Sequence, residues 1–157
     1  MNQIFKTNLR FLGWLALLQL AGELLGLEVL SFFCDWFGDG GELRVYGLAM
    51  LSLWTVWGWF TPKSACPGGK RTGVILAMWT ALIGILAMLL PDYRLLFAMP
   101  QQMAGVGLAR LVPVHYGSAL YFNAVEPTAT AAAHVLLPAL LALGLFVRYS
   151  INTKTNG

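Results

Sequence analysis

The residues able to do chemistry fall in two groups. The first lies inside the apolar stretch Phe11 to Cys34, in the run Gln19-Leu-Ala-Gly22-Glu23-Leu-Leu-Gly26. At about 100° per residue, Gln19, Gly22, Glu23 and Gly26 share about a third of a helix circumference, and Leu12, Leu15, Ala16 and Leu30 extend the stripe. Small residues let a second helix come close, so Gly22 and Gly26 are expected to pack a neighbour and to hold Gln19 and Glu23 on that close face, away from lipid. A carboxylate at the bilayer centre costs several kcal/mol and must be paired, protonated or beside water. Glu23 then binds a cation, a proton or a ligand, or it is a protonated acid fixing helix register. Glu28, near the end of the stretch, reads as a headgroup-level acid.

The second group follows a break in the apolar pattern between Leu95 and Pro127. It comprises Gln101, Gln102, Arg110, His115, Tyr116, Tyr121, Asn123 and Glu126, with His134 about two turns further on. Arg110 in a weakly apolar segment must reach water, a headgroup or an acid. It can hold a phosphate or carboxylate bidentately, or pair with Glu126 or Asp92. His115 or Glu126 beside it can serve as acid or base. Two histidines and a carboxylate can ligate a metal, and two histidines a haem. The spacing is not that of a ligand set, so no metal is assigned and the cofactor stays open. The plain alternative has His134 bonding a carbonyl freed by Pro138, with His115 solvated in a loop.

Other chemistries lack their constellations. Cys34 and Cys66 are placed on opposite sides of the membrane, which forbids a disulfide; Cys66, beside basic residues, is a lipidation candidate. Ala65-Cys-Pro-Gly-Gly-Lys-Arg-Thr-Gly73 lacks the spacing of a phosphate-binding loop and reads as a basic turn touching anionic lipid. Asp35 and Asp39 lie in a loop, and Ser118 lacks a nucleophile elbow. No catalytic residue is assigned, and no motif of a small four-helix membrane family is present.

The elements that must position these residues follow from composition. Of 157 residues, 58% are hydrophobic and 11% charged, and mean hydropathy is +0.68. A soluble domain carries about a quarter charged residues. The expected fold is a single all-α integral membrane domain, residues 1–157, organised around its first apolar stretch. Spans of suitable length fall at about 11–33, 43–60, 73–90 and 128–147, the last kinked at Pro138. Residues 95–127 form a re-entrant or interfacial element, or a fifth span. The positive-inside rule favours four spans. It puts Lys6, Arg10, Lys63, Lys70, Arg71, Arg148 and Lys154 on the cytoplasmic side with both termini. Asp35, Asp39 and Glu42 then lie outside, against Arg44. Trp57, Trp59 and Phe60 mark the inner interface, and Phe32, Phe33, Trp36 and Phe37 the outer one. Trp54 and Trp79 fall deeper, as packing residues. The run after Lys6 and Arg10 resembles a signal peptide but lacks a small-x-small cleavage site.

These features point to the plasma (bacterial inner) membrane. The net charge of +3 is scattered in short runs, which argues against a nucleic-acid partner. The leading expectation is a small non-catalytic polytopic protein: a subunit or accessory of a larger membrane assembly, or a small-solute carrier. Its partners are lipids and other membrane subunits or further copies of itself. Two alternatives are a quinone- or haem-site subunit of a redox complex and an enzyme acting on a lipid-borne group at the outer face.

Overall fold

The computed structural model describes residues 3–37, 41–66, 69–89, 99–115 and 117–155. The described residues are helical, apart from short turns, and contain no strand. Among the described residues five helices follow one another: α1 (Gln3–Phe37), α2 (Gly41–Phe60), α3 (Gly69–Leu89), α4 (Met99–Ala109) and α5 (Glu126–Thr155), the last preceded by a π-helical turn, Tyr121–Val125. Phe5–Gly26 and Tyr121–Ile151 are long and apolar enough to cross a membrane. The expectations for Asp39, Asp92 and Tyr116 lie outside the described residues, as do those for the side chains of Cys34 and Asp35.

The centre is α2 against α5, not α1. A Cβ at Gly58 would overlap the Leu141 carbonyl, and one at Gly144 would overlap the Thr55 carbonyl, so each glycine admits the other helix's backbone. Trp54, Tyr46, Met50, Leu137 and Leu141 fill the core around this contact. α4 lies in the groove beside both helices. Its Gly107 faces the Leu43 carbonyl, and a Cβ added at Gly105 would lie 2.5 Å from the Thr130 Cα. α1 flanks this centre on the α2 side, and α3 packs on α5, with Gly73 against Leu145.

α1 presents Phe11, Leu18, Gly22 and Gly26 inward. Gly22 faces the side chains of Met50 and Pro100, and Gly26 faces the ring of Tyr46, whose hydroxyl donates to the Gly22 carbonyl at 2.9 Å. The inward stripe is therefore centred on Gly22. Glu23, about 100° further round, is exposed, and so are Leu12 and Ala16; Gln19 and Leu15 are half-buried. This corrects the expectation that Glu23 sits on the packed face. Trp54 is buried, but Trp79 is 58% exposed on α3, which leaves it outside the packing expected of it.

α4 runs antiparallel to α2. Pro100 meets Gly22 at the level of Met50, midway along α2, while Gly107 meets Leu43 in the first turn of α2. Its eleven residues rise about 16 Å, half the length of α2. The helical run into α5 starts earlier than expected, ahead of Pro127. Proline has no N–H to give and its ring crowds the carbonyl four residues back. The wide turn Tyr121–Val125, closed by the Glu126 N–H on the Tyr121 carbonyl, relieves that crowding. The helix then continues through Pro138 as one element.

A polar lock closes the end that carries Trp14 and Arg148. The Trp14 indole N–H donates to the Thr61 hydroxyl at 3.2 Å, and that hydroxyl donates to the Trp57 carbonyl at 3.1 Å. The Trp57 indole N–H returns a bond to the Trp14 carbonyl at 3.1 Å, with the two rings stacked at 4.6 Å. From α5, Arg148 donates to the Thr61 carbonyl, and the Tyr149 hydroxyl donates to the Cys66 carbonyl at 2.6 Å. Cys66 is fully buried, which removes it as a lipidation candidate. Burial pushes its thiol above the usual range, partly opposed by the Tyr149 hydroxyl.

Candidate functional site

At the opposite end, an open pocket of about 700 Å³ is lined by Arg44, Arg110 to His115, and Tyr121. Each wall has a local cause. α4 ends at Ala109, and the chain tightens through the Arg110 N–H on the Val106 carbonyl, then Leu111 on Leu108 and Val112 on Ala109. Pro113 prevents further helix. The Ser118 N–H bonds the His115 carbonyl at 3.1 Å, and Gly117 takes φ +93° to make the reversal. Ser118 then caps the next helical run, its hydroxyl accepting from the Tyr121 N–H at 3.1 Å. Tyr121 is buried, edge-on to Phe122 with ring centres 5.5 Å apart. Arg44 enters from the first turn of α2.

The electrostatic balance is one-sided. Among the described residues the pocket wall includes two arginines and no acidic residue. The C-terminal carbonyls of α4 bring about half a negative charge, and the first turn of the run into α5 brings about half a positive one. The arginines decide the sign. His115, exposed, and Tyr121 supply further hydrogen-bonding groups. Among the described residues no serine, cysteine or acid lines the wall. Two arginines lining one space suit a phosphate, sulfate or carboxylate.

The structure thus brings Arg110 and His115 together and leaves the other candidates elsewhere. Glu126 is half-buried at the start of α5 and does not line the pocket. His134 is 1% exposed, and its Nδ1 lies 2.7 Å from the Thr130 carbonyl, one turn before the carbonyl that Pro138 frees. Its ring therefore bonds a different carbonyl from the one expected. Gln101 is 4% exposed near the start of α4, and its Oε1 has no hydrogen-bond partner among the described residues. Gln19 and Glu23 lie on α1, away from the pocket wall. Among the described residues no three histidine, cysteine or acidic side chains group as a metal site.

Arg44 is the wall residue that sequence reasoning left out, because it was counted with the loop acids. The available signal was an arginine on the side where the positive-inside rule expects few. No protein-family profile, curated protein or solved structure matches the chain.

Proposed function

We propose that the chain is a polytopic plasma-membrane protein that holds an anionic group at its outward end without transforming it. The observation that carries this is that Arg44 and Arg110 line one pocket, with no acid among its described lining residues. The membrane reading is supported by the two long apolar helices and by large apolar side chains exposed along them, such as Leu20, Leu24, Val135 and Leu143. α1, α2, α3 and α5 have 20 residues or more and suit four crossings, whereas α4, at about 16 Å, suits a half-crossing from the outer side. Lys6, Arg10, Lys63 and Arg148 belong to the end holding the tryptophan lock, which makes that end cytoplasmic and the pocket external.

A wall of two arginines with no serine, cysteine or acid among the described residues supports an accessory subunit or a carrier over a catalyst. The held group belongs to a lipid headgroup or to a small solute. Native mass spectrometry with added phosphatidylglycerol or phosphatidylcholine, together with calorimetric titration of inorganic phosphate, tests this. Each of Arg44→Ala and Arg110→Ala is expected to weaken binding of the anionic probe about tenfold or more, the loss of one charge-assisted bond. Lys63→Ala, at the far end, leaves it unchanged. Equal binding by all three variants overturns the proposal.

A second reading rests on His115 in the same wall: water activated by the imidazole attacks a lipid-borne group held by the arginines. His115→Ala would then abolish turnover while sparing binding. The haem reading has no observation in its favour, because only one of the two histidines lines the pocket.

A further inference from the structure

We infer that the core of the fold holds an ordered water molecule halfway along α2, bonded to the Trp54 indole and the Gln101 side chain. The site is separate from the pocket, and it stands whatever the pocket binds. Trp54 is 1% exposed and Gln101 4%. The Trp54 Nε1–H, a donor, and the Gln101 Oε1, an acceptor, have no hydrogen-bond partner among the described residues. Interior polar groups are nearly always bonded to protein or to ordered water, because an unmade bond leaves the whole desolvation cost of the group standing. Here a donor and an acceptor are left over together.

The packing brings the two groups to one level. The Ala104 carbonyl faces Gly47, so Gln101, three residues earlier on antiparallel α4, stands level with Met50. Pro100 beside it shares the space over Gly22 with the Met50 side chain. Trp54 lies one turn beyond Met50 on the same face of α2. Side chains in a helix lean toward its N-terminus, which carries the indole back to that level. α5 closes the space. Gly105 meets Thr130 and Gly58 meets Leu141, so α5 runs parallel to α2 and antiparallel to α4. One turn from the Gly105–Thr130 contact, Gln101 and His134 therefore fall side by side. The His134 Nδ1 lies 2.7 Å from the Thr130 carbonyl, so it carries the ring hydrogen, and Nε2 of the neutral ring is an acceptor. Nε2 is buried as well. One donor and two acceptors at one level suit a molecule that accepts once and donates twice, which is water. Among the described residues no acid is buried with them to hold a cation, and two acceptors repel an anion.

The test is nuclear magnetic resonance of the full chain, isotope-labelled at its tryptophan and glutamine nitrogens, in micelles of chain-deuterated detergent. Trp54→Phe identifies the Trp54 indole signal. Should that variant not fold, replacing the other five tryptophans one at a time identifies it by elimination. The expected result is a nuclear Overhauser contact between the Trp54 indole hydrogen and water, with a rotating-frame contact of opposite sign, which separates a held water from hydrogen exchange. The Gln101 side-chain amide hydrogens of the wild type show the same water. Gln101→Met, which keeps the volume and removes the acceptor, abolishes the Trp54 contact, and Arg44→Ala in the pocket leaves it in place. An indole hydrogen that contacts only side-chain or detergent hydrogens overturns the inference, and so does a water contact that survives Gln101→Met. A direct bond between the two residues, seen as contact between indole and amide hydrogens with no water signal at either, overturns it as well.

Discussion

Single side chains here act mostly through backbone carbonyls. The Tyr46 hydroxyl on the Gly22 carbonyl joins α1 to α2 in the buried middle of their contact. Tyr46→Phe keeps the ring against Gly26 and removes only this bond, so it should cost about 1 kcal/mol in reversible unfolding from detergent, the usual net value of one hydrogen bond. Cys66 makes a different prediction. Its thiol is fully buried and its ionisation is pushed upward by that burial. A group whose folded value is raised contributes stability at low pH and loses it as pH climbs through and beyond the ordinary thiol value of about 8.5. Cys66→Ser should therefore flatten the alkaline fall in melting temperature. Maleimide should label Cys66 only after denaturation.

Among the helices, close backbone approach decides which element is central. Gly107→Ala would drive a methyl into the Leu43 carbonyl, and Gly58→Ala one into Leu141. Backbone cannot swing aside as a side chain can, so each should destabilise by about 2 kcal/mol or more, read as a lower melting temperature. Gly13→Ala, with nothing within 4 Å, is the contrast, neutral or slightly stabilising to the monomer through helix propensity. Which glycines matter was not legible from the sequence. Gly22-x-x-x-Gly26 attracted attention by its spacing, yet it receives the side chains of Met50, Pro100 and Tyr46, while the tightest backbone contacts fall on Gly58, Gly107 and Gly144. No local pattern marks those three, because the partner that makes each one critical lies on another helix.

Across the molecule, the two ends differ in kind. One is locked by the tryptophan, threonine and arginine network, and the other opens into the arginine-lined pocket. In sealed inner-membrane vesicles of known orientation, His115→Cys should react with an impermeant thiol reagent from the outer side only, and Lys63→Cys from the cytoplasmic side only. Labelling of both from one side would refute the four-crossing arrangement and the external placing of the pocket.

The order of the helices, the break between α3 and α5 and the residues rich in chemistry there were readable from the sequence alone, because apolar run length, proline and charge are local properties. Arg110 stood out because a guanidinium in a weakly apolar segment must find water or an anion. The tertiary structure alone decided that Arg44 completes the pocket of Arg110 and His115, that Glu126 and His134 stay out of it, and that Glu23 faces outward. A helical wheel gives angles relative to a neighbour, and only packing says where that neighbour is. The stripe of α1 is centred on Gly22 because Met50, Tyr46 and Pro100 lie there, and that single rotation moved the acid from the interior of the fold to its surface.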